Sequence, residues 1–153
     1  MRIINRFFLA CFIAIFIPCV YAKNLDATNV IKTYQSWCNA IGEARGNPEV
    51  VVKYYAAHAI LLPTLSDKIL INDNHGLNDY FTKLTSYKDI HCVTKKLITL
   101  INSDDFAMAA GFYDFIFIDN SGKQITLPAR FTFAYKKQDD KWLIIQHHSS
   151  VVP

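Results

Sequence analysis

Two hydrophobic periods divide this chain. Between residues 26 and 84 apolar side chains recur every three or four positions. From residue 90 onward they alternate with period two. The first helical stretch runs from about Asp26 to Ile41, with Val30, Ile31, Tyr34, Trp37, Cys38 and Ile41 on one face. Gly42 is the expected stop. A second helix opens at "NPE", with Asn47 as N-cap, Pro48 in the first turn and Glu49 where the helix dipole favours an anion. "AILLP" reads as a short strand closed by Pro63. A brief third helix covers about His75 to Leu84, with Leu77, Tyr80, Phe81 and Leu84 in register. Four long strands follow in "HCVTKKLITLIN", "FAMAAGFYDFIFID", "KQITLPARFTFAYK" and "KWLIIQHHSSVV", separated by turn signals such as "DNSG" and "KQDDK". Helices followed by a meander of strands predict an α+β fold.

The strand "FAMAAGFYDFIFID" is apolar on both faces. Met108, Phe112, Ile116 and Ile118 lie on one side, and Ala109, Tyr113, Phe115 and Phe117 on the other. One layer of helices covers only one face of an antiparallel sheet. The second face calls for a second subunit, so the pattern predicts an oligomer.

The first residues do not belong to this domain. "MRIINRFFLACFIAIFIPCVYA" has two arginines, an apolar run and, in Val20-Tyr21-Ala22, small residues at the two positions a signal peptidase reads, the pattern of a secretory signal peptide. The expected organisation is a signal peptide at 1–22 and one domain at 23–153, periplasmic or secreted, with no stable membrane span after cleavage. A length of 153 residues suits one domain. Removing Arg2 and Arg6 lowers the formal charge of +3 by two. A nearly neutral domain without long basic runs argues against a nucleic-acid partner. Of the four cysteines, Cys38 and Cys92 remain, and in an oxidising compartment they either pair or stay as separate buried thiols. No CxxC, Cys/His cluster or HExxH motif points to a metal, and no cofactor is expected.

Arg130 sits within a strand whose other face carries Phe131, Phe133 and Tyr135. A buried arginine needs an anion, which makes it either a ligand anchor or an ion-pair partner, for example of Asp114. His147 and His148 point to opposite faces. An odd loop between the last two strands puts His148 on Arg130's face, and an even loop puts His147 there. Hydrophobicity does not choose, and His148 is taken as the candidate. Histidine titrates near neutral pH, so His148, with Asp114, is also the candidate catalytic group. Trp37, Tyr55 and Tyr113 are candidates for a ring-binding wall, or else core aromatics.

Trp37, "NPEVVVKYYAAHAILLPT", "GLNDYF", "GFYDF", "PARFTFAYKK" and "KWLIIQHHSS" span nearly all of the mature chain in order. On these segments the chain resembles the NTF2-like superfamily, and within it bacterial proteins similar to the association (hub) domain of calcium/calmodulin-dependent protein kinase II, overlapping the SnoaL-like and SgcJ/EcaC-like group. The resemblance implies about three N-terminal helices on a strongly curved, mainly antiparallel, cone-like sheet. It implies a pocket between helices and concave face, with dimers through the outer sheet face and sometimes rings of dimers. It also implies arginine at position 130 with an anion in the pocket. His58 stands where relatives often have an acid. Three functions are compatible with it. The first is exported binding of a small anionic or polar-aromatic molecule by Arg130, His148, Tyr113, Trp37 and Tyr55. The second is an isomerase, dehydratase or cyclase using a pocket histidine. The third is a non-catalytic oligomerisation hub.

Overall fold

The computed structural model describes residues 19–153 except Leu65 and Asn74, with side chains described from Ala27. The expected signal segment lies largely outside these residues. Helix α1 spans Cys19–Glu43, α2 Glu49–Val52 and α3 Gly76–Thr85. The strands are β1 Tyr55–Leu62, β2 Leu70–Ile71, β3 Lys88–Ile101, β4 Phe106–Ile118, β5 Gln124–Gln138 and β6 Lys141–Val151.

The apolar stripe of α1 drives its docking. Val30, Tyr34, Trp37 and Ile41 are fully buried. Tyr34 stacks on Phe131 with ring centroids 5.1 Å apart, and Trp37 meets Phe133 edge-on at 5.0 Å. Removing a buried aromatic of this kind costs about 3–5 kcal/mol. A disulfide joins Cys38 of α1 to Cys92 of β3. The start of α2 is held by the Asn47 side chain, whose Oδ1 accepts the Glu49 N–H at 3.2 Å. For α3 the side chain at the start is Asp73, whose Oδ1 accepts from the N–H groups of His75 and Gly76.

The six strands form one sheet in the order β2-β1-β6-β5-β4-β3. Adjacent strands run antiparallel, except that β1 and β6 are parallel. The expectation of a strongly curved, cone-like sheet is therefore corrected. The sheet is mixed and open, neither strongly curved nor closed. Closure would require the two edges to pair with each other. One edge here is β2, only two residues long, and the other is β3 at the far side of the sheet.

Single-residue bulges set which residues face the helices. In β3 the register shifts between Thr94 and Lys96. Before it, Ile90, Cys92 and Thr94 face α1. After it, Leu97, Thr99 and Ile101 do, and Lys96, Ile98 and Leu100 face outward. Gly111 of β4 lies beside this bulge. A Cβ there would stand 1.9 Å from the Lys96 carbonyl oxygen, so only glycine allows the approach.

Candidate functional site

Two features of the sheet could carry function, one on each face. On the outer face, the pairing register aligns Leu100, Met108, Ala134 and Gln146 in one row. Ile98, Ala110, Thr132 and His148 form the next, and Lys96, Phe112, Arg130 and Ser150 the third. Ile98 and Leu100 are 58% and 59% exposed, Phe112 43% and Met108 36%. Helix α1 packs on the opposite face, so these apolar side chains stand uncovered. Arg130 and His148 line a shallow hollow of about 260 Å³ on this outer face, together with Ser150. The Arg130 Nε–H donates to Ser150 Oγ at 3.0 Å.

The shared face of Arg130 and His148 has a structural origin. Near the hairpin turn, Tyr135 pairs with Ile144. Beyond it, Ala134 pairs with Gln146, so Ile145 is an inserted residue. Without that bulge Thr132 would face His147; with it, Thr132 faces His148. His147 is thereby turned inward.

On the helix-covered face His147 is the centre of a buried polar chain. The Trp37 indole N–H donates to Tyr55 Oη at 3.1 Å. Tyr55 Oη lies 2.9 Å from His147 Nδ1, and Tyr113 Oη lies 3.4 Å from His147 Nε2. The Tyr113 hydroxyl donates to Ser149 Oγ at 2.7 Å, and Ser149 Oγ is hydrogen-bonded to Thr64 Oγ1. One direction satisfies every link: Tyr55 donates to Nδ1, and the imidazole donates from Nε2 to Tyr113.

Burial shapes the titration of this chain. The His147 imidazole is pushed down to about 3, first by burial and then by the neighbouring charge of His148. Burial pushes the Tyr55 and Tyr113 phenols well above their usual range. All three are neutral at physiological pH, so the chain is a set of fixed dipoles rather than charges.

The candidate residues thus divide between two faces. Arg130 and His148 lie on the outer one; Trp37, Tyr55 and Tyr113 are buried on the inner one. Asp114 pairs with Lys95, with Nζ to Oδ2 at 3.4 Å, and not with Arg130. The polar chain as a unit was missed in the sequence, because its links join residues from β1, β4, β6, α1 and the loop after β1. Other cavities lie elsewhere, and two of them bring cationic and aromatic side chains together. One, of about 300 Å³, includes Thr64, Tyr80, Lys83, Tyr87, Phe115 and Leu127 in its wall. The other is a groove of about 530 Å³ between α1, the segment after α2 and the β5–β6 hairpin. Among the described residues no group of three or more His, Cys, Asp or Glu side chains could hold a metal ion. Among them, too, no helix is long and apolar enough to cross a membrane.

Among the described residues, three helices on one face of a six-stranded mixed sheet, with the opposite face bare, define an α+β protein of the NTF2-like superfamily. The sequence profile of the calcium/calmodulin dependent protein kinase II association domain matches residues 26–153, and the chain belongs to that family. A protein from Xanthomonas campestris with the same family assignment is similar at 36% identity, with a TM-score of 0.76 over 83% of this chain and 88% of that one. The association domain of C. elegans CaMKII is similar in fold, with 13% identity and a TM-score of 0.65 over 84% of this chain and 98% of that one. An NTF2-like family protein from Streptomyces avermitilis gives 15% identity and a TM-score of 0.73, covering 84% and 97%. A search of curated proteins returned no match.

Proposed function

We propose that this chain is a non-catalytic oligomerisation hub, whose subunits associate through the outer face of the sheet. The carrying observation is the register-aligned apolar surface of Ile98, Leu100, Met108 and Phe112, which α1 leaves bare. A contiguous apolar patch on a sheet face marks an interaction surface, and an isologous contact of two such faces buries both at once. Membership of an association-domain family supports the same reading. His147 supports the non-catalytic part. It is 3% exposed, both ring nitrogens are engaged and it stays neutral, which suits a structural imidazole.

The test is sedimentation of the purified chain at micromolar concentration. Wild type is expected as a dimer or larger. The Leu100→Lys/Phe112→Lys variant is expected to sediment as a monomer with an unchanged circular dichroism spectrum. Losing one central apolar contact costs about 2 kcal/mol and burying an ammonium adds to that, so dissociation should rise at least about thirtyfold. A monomeric wild type, or a variant of unchanged size, overturns the proposal.

A second reading, binding of a small anionic or polar-aromatic molecule, is favoured by the cavity beside α3. Lys83 and Tyr87 stand among its apolar walls, and the Thr64 hydroxyl at its edge ends the buried polar chain. Thermal stabilisation of wild type by short aliphatic carboxylates, lost in Lys83→Gln, tests it. We also propose export of the mature chain. The Cys38–Cys92 disulfide supports an oxidising compartment, and secretion into the periplasm with loss of residues 1–22 tests that.

A further inference from the structure

We propose that the groove between α1, the segment after α2 and the β5–β6 hairpin binds a small aromatic anion. It lies apart from the outer sheet face and from the cavity beside α3. Its volume of about 530 Å³ is within the range of small-molecule sites.

Three segments bring one ammonium each to this groove: Lys32 from α1, Lys53 from just after α2 and Lys141 from the start of β6. None of the three makes an ion pair among the described residues. Lys95 and Lys136, by contrast, are neutralised by Asp114 and Asp105. Asp140 is the one acid among the residues that line the groove. The local balance is therefore cationic in a chain whose overall charge is small, and it fits an anion.

The apolar part of the wall selects the body of the ligand. Tyr54, Trp142 and Leu143 supply it. The Lys53 ammonium sits 5.3 Å from the centre of the Tyr54 ring, and the Lys137 ammonium 5.8 Å from that of Trp142. Cations are thus already placed against ring faces. A flat ring laid against Tyr54 and Leu143, beside the largely buried Trp142, would bring an attached carboxylate, sulfonate or phosphate within reach of the three ammoniums. Lysine suits any of these head groups, because it acts as a point charge rather than a shaped fork. The Ser36 hydroxyl, also in the wall, offers a further donor.

Calorimetric titration of the full chain with 2-naphthoate, and with the neutral 2-naphthamide, tests the site. Naphthoate is expected to bind, and naphthamide to bind about tenfold more weakly. The Lys32→Gln/Lys53→Gln/Lys141→Gln variant should lose about tenfold in naphthoate affinity, since each partly solvated charge contributes modestly. Asp140→Asn should gain affinity roughly threefold, and it decides the matter even if the triple variant folds poorly. Lys83→Gln, in the other cavity, should leave naphthoate binding unchanged. No binding at millimolar naphthoate, equal binding of the amide, an unchanged affinity in Asp140→Asn or loss of binding in Lys83→Gln overturns the proposal.

Discussion

Acidification from neutral pH should destabilise this fold first through His147. His147 has an ordinary value of 6.5 and is held at about 3 in the fold. Between these limits the unfolded chain binds one proton more than the folded chain. Stability contributed by neutral His147 is therefore complete above about pH 6.5 and falls as pH drops toward 3. Going from pH 7 to pH 5 should cost about 2 kcal/mol, and pH 4 about 3 kcal/mol. The assay is urea unfolding at several pH values in the Leu100→Lys/Phe112→Lys background, so that association does not enter the free energy. His147→Gln in the same background should be less stable at pH 7, by about 1–3 kcal/mol, because its partners lose hydrogen bonds. Its stability should also change little between pH 7 and pH 5. Parallel pH slopes in the two proteins would refute the reasoning, because His147 would then be protonated inside the fold.

Replacing Cys38 and Cys92 together by serine should cost about 4 kcal/mol on chain-entropy grounds, given a sequence separation of 54. A reductant should lower the melting temperature of wild type and leave the double variant unchanged. Gly111→Ala should destabilise by about 1–3 kcal/mol or more, because its Cβ meets the Lys96 carbonyl. Hydrogen exchange should then show β3 amides losing protection before those of β5. Trp37→Phe should cost about 1 kcal/mol for the lost indole donor to Tyr55, beyond its loss of volume, as read from urea midpoints.

The long periodic elements were legible in the sequence. The stripe from Val30 to Ile41 gives α1, and the alternation after Ile90 gives β3 to β6. The two apolar faces around Met108 and Tyr113 were legible for the same reason: strand geometry alone separates them. Elements set by distant partners were not. Leu70 and Ile71 pair only because β1 lies beside them, and two residues carry no period. The parallel placement of β1 beside β6 depends on contacts such as Leu61 opposite His147, far apart in the chain. The bulges at Lys95 and Ile145 exchange faces partway along a strand, which a strict alternation cannot express. For the candidate site, Arg130 and His148 do share a face, but loop parity was not the cause. It is the bulge, not the turn, that turns His147 inward. The polar chain was illegible because Tyr55, Tyr113, Ser149 and Thr64 each look like ordinary strand or turn residues on their own.

The position of β6 also governs when this protein can fold. It is made after the other five strands, yet it lies between β1 and β5. During synthesis, β3, β4 and β5 can pair as a meander as soon as they emerge. β1 and β2 cannot join them, and the Tyr55 and Tyr113 hydroxyls have no imidazole between them until His147 arrives. The core therefore closes in one late event. A nascent chain of this order keeps β1 and β2 apart from the β3–β5 meander until β6 has left the ribosome.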